Sequence, residues 1–181
     1  MHAIATQILH LFNERGGSMY GGEAVTQLQH ALRAATLAQS TGAKPTLITA
    51  SLLHDIGHIL HNLPADAPDQ DIDDFHENLA ARYLETHFVP AVSEPVRLHV
   101  AAKRYLCATE PAYLSILSEP SIQSLALQGG PMSAAEVAEF EQSPFYKDAV
   151  QLRTWDDQAK DPEMVTAPIE AFAGHIEGAL A

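Results

Sequence analysis

An all-α fold is the prediction for this chain, and three observations carry it. Apolar residues recur at helical spacing, strand-like alternation does not recur, and glycine pairs and prolines punctuate the helical stretches. The chain has 181 residues, 46% hydrophobic and 18% charged, which suits one domain over 1–181 with a real core and argues against two independent ones. No repeat, low-complexity tract or linker divides it.

Taken in order, residues 3–14 place Ile4, Ile8, Leu11 and Phe12 on one helical face. Gly16-Gly17 and Gly21-Gly22 then bracket a flexible loop that carries Tyr20. A second helix is expected over 24–40, ended by Thr41-Gly42, and a third from Pro45, which suits a first helical turn, to about Leu60. A polar, proline-bearing loop follows over 61–71. Residues 73–87 read as a fourth helix, with Asp73, Asp74 and Glu77 favourably placed at its positive end. Pro95 is expected to open a fifth that continues through His99 and Lys103. Prolines and Gly129-Gly130-Pro131 break 111–147 into short helices and loops, and helices over 145–158 and 168–180 complete the domain.

His54-Asp55 is the most informative pair, because it stands in the apolar run from Leu47 to Leu60, where an unpartnered carboxylate is costly and calls for a cation. The nearest basic residue upstream is Lys44, outside the run. His30, His76, His99 and Asp156 are further candidates for the same buried site, and the inventory reads as metal ligands, each helix projecting one group inward. Adjacent positions on a helix point about 100° apart, so the pair can straddle an ion, and the two oxygens of Asp55 can reach two. With Cys107 as the only cysteine, a disulfide within the chain and a thiolate cluster are both excluded. Imidazole and carboxylate suit iron, manganese or zinc without choosing among them. His2, His10, His87 and His175 read as ordinary surface residues.

A formal net charge of −13 argues against nucleic acid, which needs a concentrated field of Lys and Arg. Small anions stay compatible where Lys103-Arg104 and a metal gather positive charge. With no stretch of the roughly 18–20 apolar residues that span a bilayer and no signal pattern, the protein is expected to be soluble and cytoplasmic, away from membranes. The sequence sets no oligomeric state.

The order His30, His54-Asp55, Asp156 resembles the HD-domain superfamily of helical metalloenzymes, and His76 and His99 resemble its two-metal branch. Longer stretches are more specific: Tyr20-Gly-Gly-Glu23, Leu53-His54-Asp55-Ile-Gly57-His58, His99-Val-Ala-Ala-Lys103-Arg-Tyr105, Gln128-Gly-Gly-Pro-Met132 and Arg153-Thr-Trp155-Asp156. Together, over roughly residues 4–172, they resemble the phosphonate-cleaving HD-domain oxygenases. The resemblance implies a di-iron Fe(II)/Fe(III) dioxygenase, with His30, His54, Asp55 and Asp156 on one iron, His76 and His99 on the other, and Asp55 bridging. It implies that Lys103 and His58 meet the phosphonate, with Ser121 and Gln128 as further contacts, and that Tyr20 and Glu23 form a lid. Glu23 would neutralise a substrate ammonium, and the aromatic face of Tyr20 would suit a trimethylammonium group. The substrates implied are dioxygen and 2-amino-1-hydroxyethylphosphonate or its trimethylammonium counterpart, and the products phosphate and glycine or glycine betaine. Such an iron pair brings about five positive charges and its ligands remove about three or four, which leaves a surplus to attract the phosphonate.

Two other readings use the same residues. A metal-dependent phosphohydrolase would attack a phosphate ester or nucleotide with a metal hydroxide. Many hydrolases of the superfamily carry Lys after His-Asp-x-Gly, where this chain has His58, and that leans away from hydrolysis. A degenerate binding module is disfavoured, because every expected ligand is present.

Overall fold

A computed structural model describes residues 1–60 and 77–181, together with the backbone of His76. The described residues form ten α-helices and two short 3₁₀ turns, with isolated bridges at Met19–Thr26 and Phe88–Leu180 and no extended strand among them. None of these helices is long and apolar enough to cross a membrane.

Helix α1 (Ala3–Arg15) buries Ala5, Ile8, Leu9 and Phe12, the one-sided stripe that its spacing predicts. The chain then turns at Gly16, where a Cβ would lie 2.8 Å from that of Leu28, so only glycine permits the approach. Helix α2 (Gln27–Ser40) starts three residues later than expected. The reason is a reciprocal cap at Thr26: the Gln29 amide donates to Thr26 Oγ1 at 3.2 Å and the Thr26 amide to Gln29 Oε1 at 2.9 Å. Gly21 and Gly22, at φ +39° and +80°, let the preceding loop fold back so that Tyr20 points into the protein.

The expected single helix from Pro45 to Leu60 is two. Helix α3 (Pro45–Leu53) is buried along most of its length, α4 (Ile56–Leu60) follows, and the break falls at His54-Asp55. Regular helix would hold these side chains about 100° apart, yet His54 Nε2 and Asp55 Oδ2 lie 3.2 Å apart. His54 itself keeps helical dihedrals, φ −59° and ψ −37°, and the two side chains converge where α3 ends.

Helix α5 (His76–Glu85) ends two residues short of the expected boundary, while the expected loop over 61–71 and the acidic start at Asp73 and Asp74 lie outside the described residues. Helix α6 (Pro90–Thr109) begins at Pro90 and carries Pro95 inside it, correcting the expected start. Pro90 takes the first turn, where the missing N–H costs nothing; Pro95 forgoes only the bond to the Ala91 carbonyl.

Beyond α6, the 3₁₀ turn Tyr113–Ile116, α7 (Glu119–Leu127) and α8 (Ala134–Phe140) match the broken pattern read for 111–147. Helix α9 (Tyr146–Gln158) returns along α6, α2 and α3. The expected helix over 168–180 is a 3₁₀ turn at Ile169–Phe172 followed by α10 (Ala173–Gly178). Leu52, Leu53, Ile56, Leu84, Val96, Leu152, Trp155, Phe172 and Ile176 pack into one core. It is the apolar wall from which α2, α3, α6 and α9 hold their polar groups.

Candidate metal centre and anion pocket

Four helical segments deliver polar groups to one buried point. His30 comes from α2, His54 and Asp55 from the α3–α4 break, His99 from α6 and Asp156 from α9, and each is less than 7% exposed. His30 Nε2 lies 3.2 Å from His54 Nε2 and 3.1 Å from Asp156 Oδ1. Asp55 Oδ2 lies 3.2 Å from His54 Nε2 and 3.6 Å from His30 Nε2. The other oxygen, Oδ1, faces His99 Nε2 at 3.5 Å. His30, His54, Asp55 and Asp156 form a buried cluster able to hold a metal ion, with donor atoms that all fall within 4.8 Å of one another.

These separations suit an ion. Ligand bonds of about 2.1 Å place neighbouring donors of an octahedron roughly 3.0 Å apart, and two imidazole nitrogens facing each other at that range have little other reason to meet. The imidazoles are aimed from behind: the far ring nitrogens of His54 and His99 sit 2.8 Å from the Ser51 carbonyl and 2.7 Å from that of Val96. Carbonyl acceptors require Nδ1–H, so Nε2 is left with a lone pair turned to the centre. Arg153 fixes Asp156 in the same way, donating from Nη1 to Oδ2 at 2.7 Å and leaving Oδ1 for the cluster.

The charge balance also asks for a cation. Of the two cluster carboxylates Arg153 meets only Asp156, and the two carboxylates together draw a proton to His54: burial alone would lower its imidazole, but Asp55 and Asp156 override it and push it up to about 10. Burial and the neighbouring His54 charge hold His30 below its ordinary value. Burial would raise Asp156, and the Arg153 charge with both imidazoles brings it well below the carboxylate range instead. The side chain of His76 lies outside the described residues.

Tyr20 covers the cluster. Its ring stacks on His30 at 3.8 Å and 15°, meets His58 edge-on at 6.3 Å, and its hydroxyl lies 3.5 Å from Asp156 Oδ1. Burial, followed by the two aspartates, keeps that phenol protonated. Glu23, three residues on, does not join the cluster. It pairs with Lys160 at 3.1 Å and accepts from the Ser118 hydroxyl.

Lys103 and Ser121 lie in a polar seam between α6 and α7. Ser118, Ser121 and Ser124 recur every three residues along α7, and two ammonium groups meet them: Lys103 donates to Ser124 at 2.8 Å, and Lys160 to Ser121 at 2.6 Å and Ser118 at 3.1 Å. Lys103 is 3% exposed, and burial with the nearby Arg153 charge lowers it from 10.5 to about 7. Burial thus disfavours its charged form in this surrounding. Gln128 ends α7, its buried Oε1 without a partner among the described residues. The Gly-Gly-Pro-Met turn after it docks on α6, where Arg104 donates to the Gly130 carbonyl at 2.8 Å and accepts from the Met132 amide at 3.2 Å, which sets the seam against Lys103.

Sequence reasoning assigned no role to Arg153, Lys160 or Ser124. Arg153 stands three and four residues before two aspartates on one helix, a spacing that could have shown the clamp. Lys160 and Ser124 acquire their partners only in three dimensions. The four histidines read as ordinary have local partners: His2 caps α1, His10 pairs with Glu14, His87 packs on Tyr83 and His175 meets Gln39.

The chain was compared with known proteins. A family model described as HD domain matches residues 28–126. A [1-hydroxy-2-(trimethylamino)ethyl]phosphonate dioxygenase (glycine-betaine-forming) of Leisingera caerulea is 44% identical over 167 residues, 92% of this chain and 85% of that protein. A hydroxymethylphosphonate dioxygenase of Gimesia maris is 44% identical over 176 residues, 97% of this chain and 87% of that one.

Proposed function

The chain belongs to the HD-domain family, among the phosphonate dioxygenases, and we propose that it uses dioxygen and two iron ions to cleave the carbon–phosphorus bond of a 1-hydroxyphosphonate. The observation that carries the reading is the carboxylate of Asp55, with one oxygen toward His30 and His54 and the other toward His99. His30, His54, Asp55 and Asp156 would hold one ion; Asp55, His99 and His76 would hold the second. When bound, a mixed Fe(II)/Fe(III) pair supplies the chelation of hydroxyl and phosphonate oxygens and the activation of dioxygen. In the overall reaction the C1–H and C1–P bonds break, C1 becomes a carboxyl carbon, and phosphorus leaves as phosphate; one O₂ balances the atoms.

The protein's own groups bind, orient and shield. Lys103 would present its ammonium to the phosphonate with Ser124 holding it in place, Ser121 and Gln128 would supply further donors along the same seam, and His58 would donate from α4, where it meets the Tyr20 ring. Stacked on His30, Tyr20 must leave before substrate enters, and its return excludes water from the reacting carbon. Arg153 and Lys160 are matched by Asp156, Asp157 and Glu23, so the positive charge that would meet the phosphonate on an acidic protein is that of the bound metal pair and Lys103.

The direct test incubates iron-loaded protein with 1-hydroxyphosphonates in air and under nitrogen, measuring phosphate and the carboxylic acid formed. Phosphate release should match oxygen consumed and vanish without it. Release that persists anaerobically, or with zinc in place of iron, would establish hydrolysis instead.

The Lys103 ammonium also sets a pH dependence. Its folded value, about 7, lies far below the ordinary 10.5, so the cation that meets the phosphonate is lost as pH rises through neutrality. The value of kcat/KM should fall above about pH 7 with a slope approaching tenfold per unit, and Lys103→Met should remove that limb along with roughly 100-fold of kcat/KM. A flat wild-type profile to pH 9 would show that Lys103 does not carry the phosphonate.

A further inference from the structure

Glu23 and Lys160 form a mostly buried ion pair beside the metal centre that the reaction as described does not use. The Lys160 ammonium has three N–H groups and spends them on Glu23 Oε1 at 3.1 Å, Ser118 Oγ at 3.1 Å and Ser121 Oγ at 2.6 Å. Glu23 accepts from both Lys160 and Ser118, so its charge is balanced before any substrate arrives. It stands three residues from Tyr20, whose ring lies on His30, and so belongs to the loop that covers the cluster. Lys160 follows Asp156 by four residues, so the pair is anchored to the helix that carries a ligand.

We infer that Lys160 determines specificity: by occupying Glu23, it turns the site away from 1-hydroxyphosphonates that bear a primary ammonium and toward those with no charge beyond C1. The inference rests on the phosphonate reading above. Both contacts fall on Oε1, so a substrate ammonium would either displace Lys160, leaving that lysine without its counterion, or share through Oε2 a carboxylate whose charge Lys160 already balances. The exchange trades one cation for another and yields no net attraction, while Lys103 and Arg153 add repulsion. A substrate made only of the hydroxyl and phosphonate ends leaves the pair intact. Specificity of this kind comes from the penalty placed on the competitor.

The experiment measures anaerobic binding of hydroxymethylphosphonate and of 2-amino-1-hydroxyethylphosphonate to the metal-loaded full chain by calorimetry, with aerobic kcat/KM for both alongside. The wild-type protein should prefer hydroxymethylphosphonate by about tenfold or more in affinity. Lys160→Met frees Glu23 and should move the ratio of the two affinities toward the amine by at least about tenfold, a ratio in which any loss common to both substrates cancels. Lys160→Arg, which keeps the charge, should retain the wild-type preference. Preference of the wild-type protein for the amine, or a ratio unmoved by Lys160→Met, overturns the inference. Binding with the expected ratio but no oxygen-dependent cleavage would leave the selectivity standing and defeat the oxygenase reading instead.

Discussion

Asp55→Ala protein is expected to purify without iron, show background turnover and gain no thermal stability when iron is added. The argument runs through the two oxygens of one carboxylate. Oδ2 faces His30 and His54 while Oδ1 faces His99, so truncation removes a donor from both halves of the centre at once. In the wild-type protein, metal at 100 times its dissociation constant adds about 2.7 kcal/mol. For a chain of this size that raises Tm by about 5–11 °C. The variant should lose all of this increment. Its metal-free fold should survive, because the site is electrostatically uneasy without an ion: the carboxylates hold a proton on His54 that burial disfavours, and deleting one of them relieves as much as it removes. Metal analysis with parallel melting curves decides it. Two irons per chain retained in Asp55→Ala would end the bridging role.

The His54-Asp55 pair also shows how far sequence reasoning reached. Charge in an apolar run calls for a cation, and the remaining histidines and aspartate at helical positions were the candidates for its other ligands. His30, His54, Asp55 and Asp156 do meet in one cluster, with His99 at its edge. The helical class was legible for the same reason, since apolar periodicity survives without knowledge of what it packs against. What was illegible depended on exchange between distant segments. The break at His54 is invisible to periodicity, because a helix and two collinear half-helices bury the same positions. Pro95 suggested a helix start, yet Pro90 five residues earlier had the better claim and α6 absorbs the second proline. Glu23 was read toward the substrate, and its partner Lys160 lies 137 positions away in a turn with no local pattern to mark it.

Arg153→Met should produce the largest loss of stability, and in the metal-free protein above all. Arg153 is 4% exposed and holds the buried Asp156 and Tyr113 and the partly buried Asp157: Nη1 holds Asp156 Oδ2 at 2.7 Å, Nε meets the Tyr113 hydroxyl at 3.1 Å and Asp157 Oδ2 at 3.2 Å, and Nη2 pairs with Asp157 Oδ1. Removing Arg153 strands the buried Asp156 carboxylate and takes from the partly exposed Asp157 its guanidinium partner, at a cost of about 3–5 kcal/mol. That corresponds to a fall in Tm of roughly 6–20 °C. The carboxylate of Asp156 would then be shared differently. In the wild-type protein Arg153 takes one oxygen and leaves the other facing the cluster; on the proposed reading a bound iron would be the remaining strong counterion in the variant, so iron should restore more stability to Arg153→Met than it adds to wild type. The difference between those two metal-induced shifts measures the coupling between guanidinium and ion across one carboxylate. Additive shifts, or a metal-free variant that melts within about 1 °C of wild type, would show that Asp156 is positioned by packing and owes nothing to the clamp.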